Sequence, residues 1–97
     1  MAVGAKGVVS VAANVVPKMM VDLVDLSAAQ DFPAARELHF RLYPLFKALF
    51  LETNPIPVKA AMALLGRIGP ELRLPLTPLS EENQRVLRSV LSDLGVL

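Results

Sequence analysis

A short apolar run with no alternation of polar and apolar positions stands near the start of the chain, at residues 8–13. It follows Gly4 and Gly7 and is rich in valine. Such a run is typical of a strand buried on both faces of a parallel sheet, with a buried helix as the alternative. Because the flanking glycines disfavour a helix, the pattern predicts a strand.

The next apolar residues recur at the spacing of one helix face. They are Val16, Met19, Met20 and Leu23. This stripe predicts a helix that runs to about Ala29, with Asn14 as a candidate N-cap and Pro17 in the first turn, where a missing N–H group costs nothing. The first thirty residues are therefore predicted to form a strand, a loop and a helix.

A second helix is predicted from Asp31 and Pro33 to about residue 51, and no further strand follows. One face of this helix is apolar at Ala35, Leu38, Leu42, Leu45, Phe46 and Leu49. Phe40, Pro44 and Leu51 fall on the opposite side. Two apolar faces are typical of a helix packed between layers, and Pro44 is expected to bend or break it.

Two shorter helices complete the predicted elements. The third follows a turn at residues 54–57 and ends at Gly66, a C-terminal cap. Its apolar stripe consists of Val58, Ala61, Met62 and Leu65. A connector with three prolines, residues 67–78, leads to the last helix, which Ser80 caps and Gly95 closes. The predicted core face of that helix consists of Val86, Leu87, Val90, Leu91 and Leu94.

Composition and charge exclude several classes of function. The 97 residues make one domain at most, and a hydrophobic share of 54% excludes intrinsic disorder. Ten Lys and Arg residues are interspersed with nine Asp and Glu residues, so the sequence has no basic patch that would bind nucleic acid or an anionic membrane. Without cysteine there is no disulfide, thiolate zinc site or cysteine nucleophile. No apolar run is long enough to span a membrane and no signal peptide is recognisable, so we expect a cytoplasmic protein.

One strand followed by four helices is an incomplete set of elements for a free-standing α/β domain. A parallel-type strand has N–H and C=O groups along both edges, and it is costly to bury them without partners. The sequence contains no second strand that could satisfy them. The pattern therefore predicts a piece of a larger α/β fold.

Three segments carry a resemblance to a known family. They are Glu52–Lys59 (ETNPIPVK), Leu72–Pro78 (LRLPLTP), and Gly7–Val11 (GVVSV) followed by Asn14 and Val15. Together they resemble the dihydrodipicolinate synthase and N-acetylneuraminate lyase family, in the form of its synthase branch. The similarity extends over essentially all 97 residues.

The resemblance implies a mostly α fragment with about four helices and one short strand. Residues 1–30 would be the last strand-helix unit of a (β/α)8 TIM barrel, and residues 31–97 its C-terminal helical extension. Full-length members condense pyruvate with aspartate semialdehyde in the diaminopimelate route to lysine, using a lysine that forms a Schiff base and a tyrosine that relays protons. Both groups lie on earlier strands, which this sequence does not contain.

The resemblance also bears on substrates and partners. It implies that the main-chain carbonyl of Val9 lines the pyruvate pocket. Val9 is therefore the one residue of this chain that the resemblance assigns to substrate binding. Sialic acid lyases hold a sugar-binding serine at the position of Val11, and valine cannot form those hydrogen bonds, so the aspartate semialdehyde branch is favoured. The implied partners are the rest of the barrel, further copies in a homotetramer, and pyruvate in the intact enzyme only, with no cofactor and no metal.

Other candidates for chemistry have simpler structural interpretations. An imine-forming lysine requires a pocket that lowers its pKa. We expect all four lysines to be solvated instead: Lys6, Lys18, Lys47 and Lys59. His39 is interpreted as a half-buried structural imidazole, and Asp22 with Asp25 as a solvated helix face. No catalytic or metal-binding residue is therefore predicted in this chain.

Two functions of different classes follow. The first is the C-terminal part of a Schiff-base lyase, inactive by itself. The alternative is a non-catalytic helical module for protein interaction, suggested by the surplus of apolar residues, although such a module has no need of the predicted strand. The second apolar face of residues 33–51 would be bare in the isolated chain, which predicts self-association.

Overall fold

The computed structural model of the chain describes all 97 residues and contains four α-helices and one turn of 3-10 helix. The 3-10 helix spans Val11–Asn14. The α-helices are α1 (Pro17–Ala28), α2 (Phe32–Ala48), α3 (Ile56–Leu64) and α4 (Glu81–Asp93). The prediction of a mostly α chain with four helices is confirmed.

The structure departs from the prediction at the strand. Ser10 has extended backbone angles, with φ −134° and ψ 132°, but the 3-10 helix begins at the next residue and the chain contains no β-strand. Val8 is 62% exposed and Val9 is fully exposed, so the start of this run is not buried on either face. The physical reason is that a strand forms only against a neighbouring strand, and the chain supplies none.

The starts of α2 and α4 are set by short-range hydrogen bonds to side chains. The side chain of Asp31, where the second helix is predicted to start, accepts from the Ala34 N–H at 3.3 Å, and that of Ser80, the predicted cap of the last helix, accepts from the Asn83 N–H at 3.2 Å. Asn14 does not cap α1: it ends the 3-10 helix, and its side-chain amide donates to the Val11 carbonyl at 3.1 Å. Helix α1 begins with Pro17 in its first turn and lacks a side-chain cap.

Helix α2 is central, since it packs against both α1 and α4, while α3 packs against α4 and the 3-10 helix. It continues through Pro44, which is exposed and causes no break, and it ends three residues before the predicted end. Five leucines with exposures of 0–1% form the centre of the core: Leu42, Leu45, Leu49, Leu87 and Leu91. Of the predicted α4 face, Leu94 is also buried, whereas Val86 is 41% exposed.

The surface of the chain is large for its mass. It amounts to 6385 Å², whereas a folded monomer of 10.5 kDa exposes roughly 5,400 Å². Several large apolar side chains contribute to the difference: Val9, Phe40, Tyr43, Phe50 and Leu74. None of the helices is both long enough and apolar enough to cross a membrane.

Candidate functional site

An apolar groove of about 570 Å³ lies between residues 7–12 and the helices α1 and α2. Its walls include Val9 and Val11 from the N-terminal segment, Leu23 from α1, and Phe46 from α2. The hydroxyl of Ser27, one of its few polar groups, donates to the Leu23 carbonyl at 2.7 Å. With no charged side chain in its walls, the groove is suited to covering by apolar side chains.

The N-terminal segment beside this groove has unpaired backbone groups. No backbone hydrogen bond involves residues 5–9, and the first one after them is accepted by the Ser10 carbonyl from the Ala13 N–H at 3.1 Å. Val9 lies within this stretch, and its aliphatic side chain has no reactive group. What Val9 offers chemically is its main chain, an N–H group that donates and a carbonyl oxygen that accepts hydrogen bonds.

The loop that follows this segment is attached to the connector after α3. The Arg67 guanidinium Nη1 donates to the Val15 carbonyl at 2.8 Å and to the Asn14 carbonyl at 3.2 Å. Charged donors of this kind form stronger hydrogen bonds than neutral ones. Arg67 thereby joins residue positions more than fifty apart in sequence.

A second long-range contact lies at the N-terminus of α4. The Glu52 carboxylate, in the loop after α2, accepts from the Asn83 side-chain amide at 2.7 Å and from the Ser80 N–H at 3.1 Å. The Asn83 hydrogen bond, followed by that of Ser80, lowers the pKa of Glu52 from its ordinary value near 4.5. Both donors stabilise the ionised carboxylate, and the positive end of the α4 dipole stabilises its negative charge further.

The lysines are not brought together, nor does any of them line the groove. Lys6, Lys18 and Lys47 are exposed, and Lys59 is partly exposed on α3. Lys18 forms an ion pair with Asp22 one turn along α1. Asp25 is exposed, and the structure contains no group of three or more side chains arranged to hold a metal ion.

His39 differs from its predicted environment. It is exposed rather than half-buried, and its ring lies edge-on to Phe40 at 5.7 Å and tilted to Phe46 at 5.9 Å between ring centroids. Tyr43, four residues along α2, lies tilted to the imidazole at 5.8 Å between ring centroids, and this i, i+4 spacing places the two rings side by side at the surface. The imidazole therefore packs on its neighbours without being enclosed by the core.

Sequence reasoning missed Arg67 and Glu52, which make long-range polar contacts with the loop before α1 and with the N-terminus of α4. A weak signal was present for Arg67, since it follows a glycine that ends a helix and so marks a change of chain direction. Nothing in the spacing of residues indicates which carbonyl groups its side chain reaches.

Comparison with known proteins gives a consistent family match. A model of the dihydrodipicolinate synthetase family matches residues 1–94. The 4-hydroxy-tetrahydrodipicolinate synthase of Methanocaldococcus jannaschii is 54% identical over 96 residues, which are 99% of this chain and 33% of that protein. The chain thus spans about a third of the length of the curated relatives that it matches.

Solved structures agree with the sequence match. The dihydrodipicolinate synthase of Thermotoga maritima superposes with a TM-score of 0.96 at 52% identity, over 99% of this chain and 32% of that one. The chloride-inhibited synthase of Acinetobacter baumannii, solved complexed with pyruvate, superposes with a TM-score of 0.93 at 42% identity, over 97% of this chain and 32% of that one. The helices described above are therefore arranged as in the C-terminal portion of those chains.

Proposed function

The chain belongs to the dihydrodipicolinate synthetase family, and on that premise we propose that it serves as the C-terminal portion of a 4-hydroxy-tetrahydrodipicolinate synthase. Such an enzyme is a cytoplasmic Schiff-base lyase that condenses pyruvate with aspartate semialdehyde on the route to lysine. The observation that carries the proposal is the 54% identity to the Methanocaldococcus jannaschii synthase across nearly the whole chain. The division into a barrel unit, residues 1–30, and a helical extension, residues 31–97, belongs to the same proposal.

The unpaired N-terminal segment supports this role. Residues 5–9 make no backbone hydrogen bonds, although their N–H and C=O groups require partners when they are buried. Preceding strands of a barrel would pair with this segment and would cover the apolar groove beside it. The partner that the chain requires is therefore the rest of the barrel.

The chain's contribution to the pyruvate pocket is one acceptor. The Val9 carbonyl would line the pocket and accept a hydrogen bond from a donor group that orients bound pyruvate. A preorganised acceptor of this kind contributes by orienting the reactant without moving during the reaction. The imine-forming lysine and the proton-relaying tyrosine would come from the missing two thirds, so the isolated chain is expected to be inactive.

A chimera tests the proposal. The last third of the Methanocaldococcus jannaschii synthase is replaced by this chain, and condensation of pyruvate with aspartate semialdehyde is measured. A matched control chimera ends after residue 30 and lacks the helical extension. We expect turnover within about tenfold of the parent enzyme for the full chimera and none for the control. A folded full chimera without turnover would contradict the proposal.

The alternative function, a helical module for protein interaction, is favoured by one observation. Phe40 and Phe50 are 65% and 61% exposed, and exposed aromatic side chains are enriched at interfaces. Under this alternative the full chimera would lack turnover while the isolated chain would remain a stable, folded protein. Under the first proposal, further copies of the chain in a homo-oligomer would cover these exposed aromatic side chains.

A further inference from the structure

Arg67 joins the helical extension to the loop that precedes α1. Its Nη1 atom lies 2.8 Å from the Val15 carbonyl oxygen and 3.2 Å from the Asn14 carbonyl oxygen, across 52 and 53 residues of sequence. Both acceptors lie between the end of the 3-10 helix and the start of α1. One side chain therefore holds two consecutive carbonyls of the segment that leads away from Val9.

These two carbonyls have no other donor in the chain. No backbone N–H group donates to Asn14 or Val15, and the residue that begins α1 is Pro17, which has no N–H group to offer. Val15 has no solvent exposure, so its backbone lies against the core. A carbonyl in this setting requires a partner, and the guanidinium supplies it.

The backbone of α3 fixes where Arg67 starts. Helix α3 packs against the 3-10 helix and ends in a left-handed residue, Gly66, with φ +70°. The Gly66 N–H donates to the Ala63 carbonyl at 2.9 Å, and the Arg67 N–H donates to the Met62 carbonyl at 3.0 Å. This pair of bonds is the Schellman arrangement, which turns the chain sharply at a defined point and lets the side chain reach back to residues 14 and 15.

We propose that Arg67 is a positioning residue for the pyruvate pocket, acting through the loop at residues 11–16 on the carbonyl of Val9. The inference rests on the proposed function, which assigns that carbonyl to the pocket. Residues 5–9 have no backbone hydrogen bonds within the chain, so this loop is their downstream attachment. The helical extension thereby sets the position of the Val9 carbonyl on the barrel unit, and it does so through the hydrogen bonds of Arg67.

The first test measures the attachment without using activity. The first test uses the full chimera with the Methanocaldococcus jannaschii barrel. Amide hydrogen exchange is followed for residues 11–16 in the unsubstituted chimera, called the parent chimera, and in its Arg67→Met and Arg67→Lys variants. Arg88→Met is the matched control, because it removes an exposed guanidinium from α4. We expect exchange at least about tenfold faster in Arg67→Met, an intermediate rate in Arg67→Lys, and the parent rate in Arg88→Met.

The second test measures the pocket. KM for pyruvate and kcat are determined for the same variants at a temperature at which circular dichroism shows each to be folded. We expect KM for pyruvate about tenfold higher in Arg67→Met, since small displacements of a positioning group are costly. The KM for aspartate semialdehyde should change less than twofold, and Arg67→Lys should recover part of the loss. A residue with a purely structural role would lower the melting temperature and leave this pattern of KM values unchanged.

The outcomes separate the two proposals. An inactive but folded parent chimera contradicts the proposed function, and the exchange measurement still tests the attachment in that protein. An active parent in which Arg67→Met keeps its KM for pyruvate within about twofold contradicts the positioning role. Unchanged exchange at residues 11–16 contradicts it as well, whatever the activity.

Discussion

The side-chain amide of Asn83 donates to the carboxylate of Glu52 at 2.7 Å, which attaches the first turn of α4 to the loop after α2 across 31 residues of sequence. The same carboxylate oxygen accepts from the Ser80 N–H at 3.1 Å. Ser80 in turn caps α4 through its hydroxyl. The start of α4 is therefore held by one local hydrogen bond and by two long-range hydrogen bonds to the same ionised carboxylate.

Replacement of Glu52 by Gln is expected to lower the stability of the chain at neutral pH. The Asn83 and Ser80 hydrogen bonds hold the folded-state pKa of Glu52 below its ordinary value near 4.5. A lowered folded-state pKa gives stability that is complete above the unfolded-state value and is lost as the pH falls through the folded-state value. The difference in urea midpoint between the parent and Glu52→Gln should therefore be present at pH 7 and shrink as the pH falls below 4.5.

Glu37→Gln is the control for this measurement, because Glu37 is exposed on α2. Its removal is expected to leave the urea midpoint near that of the parent at both pH values. If the Glu52→Gln difference were the same at acid and neutral pH, the ionised carboxylate would not be the group that holds α4.

Truncation of Leu91 to Ala is expected to destabilise the chain strongly. Leu91 has no exposed surface and belongs to the central core cluster. Loss of its buried methyl groups and the resulting cavity cost about 3 kcal/mol of unfolding free energy. Denaturant titration followed by circular dichroism at 222 nm measures the difference.

Leu74→Ala supplies the matched control for Leu91→Ala, since the same atoms are removed from a side chain that is 89% exposed. Its expected cost is below about 0.5 kcal/mol. Equal costs at the two positions would mean that α4 does not pack in solution as it does in the structure.

The four helices could be predicted from the sequence because each has strong local signals. Ser80 caps α4 as predicted, Asp31 lies at the predicted start of α2, and the leucine stripes of α2 and α4 lie in the core. Side-chain periodicity and capping act within a few residues, so a single sequence contains all of the information that they require.

The N-terminal run could not be predicted in the same way. Val8 and Val9 have the composition of a buried strand, but strand formation depends on partners outside the segment. In this chain those partners are absent, and the run ends in a 3-10 helix at Val11. The contacts of Arg67 and Glu52 were missed for a related reason, because they join residues 28 to 53 positions apart and only the fold brings those together.

The isolated chain is expected to self-associate. It exposes roughly 1,000 Å² more than a folded monomer of its mass, counting from 6385 Å². That excess is comparable with the surface that one partner buries in a stable protein interface, about 800 Å². Sedimentation velocity at tens of micromolar should show dimers or larger species.

Phe50→Lys should shift this distribution toward the monomer, because Phe50 lines the apolar groove and is 61% exposed. A lysine at that position would have to be buried as a charge in the contact. Ser89→Lys, on the exposed side of α4, introduces the same charge away from the groove and should leave the distribution unchanged. A parent chain that sediments as a monomer at these concentrations would contradict the expectation.

The isolated chain is also expected to form no Schiff base with pyruvate. Imine formation at neutral pH requires an unprotonated amine, which a protein obtains by burying the lysine or by placing another cation beside it. Lys18 instead forms an ion pair with Asp22 on the surface of α1, and Lys6 and Lys47 are exposed to water. Incubation with pyruvate and sodium borohydride, followed by intact-mass spectrometry, should therefore leave the mass of the chain unchanged.

The full chimera serves as the positive control. Its barrel would supply the reactive lysine, so the chimera should gain the mass of one reduced adduct. A stoichiometric adduct on the isolated chain, mapped to any of its own lysines, would mean that the chain contains a reactive amine and that its chemistry does not depend on the rest of a barrel.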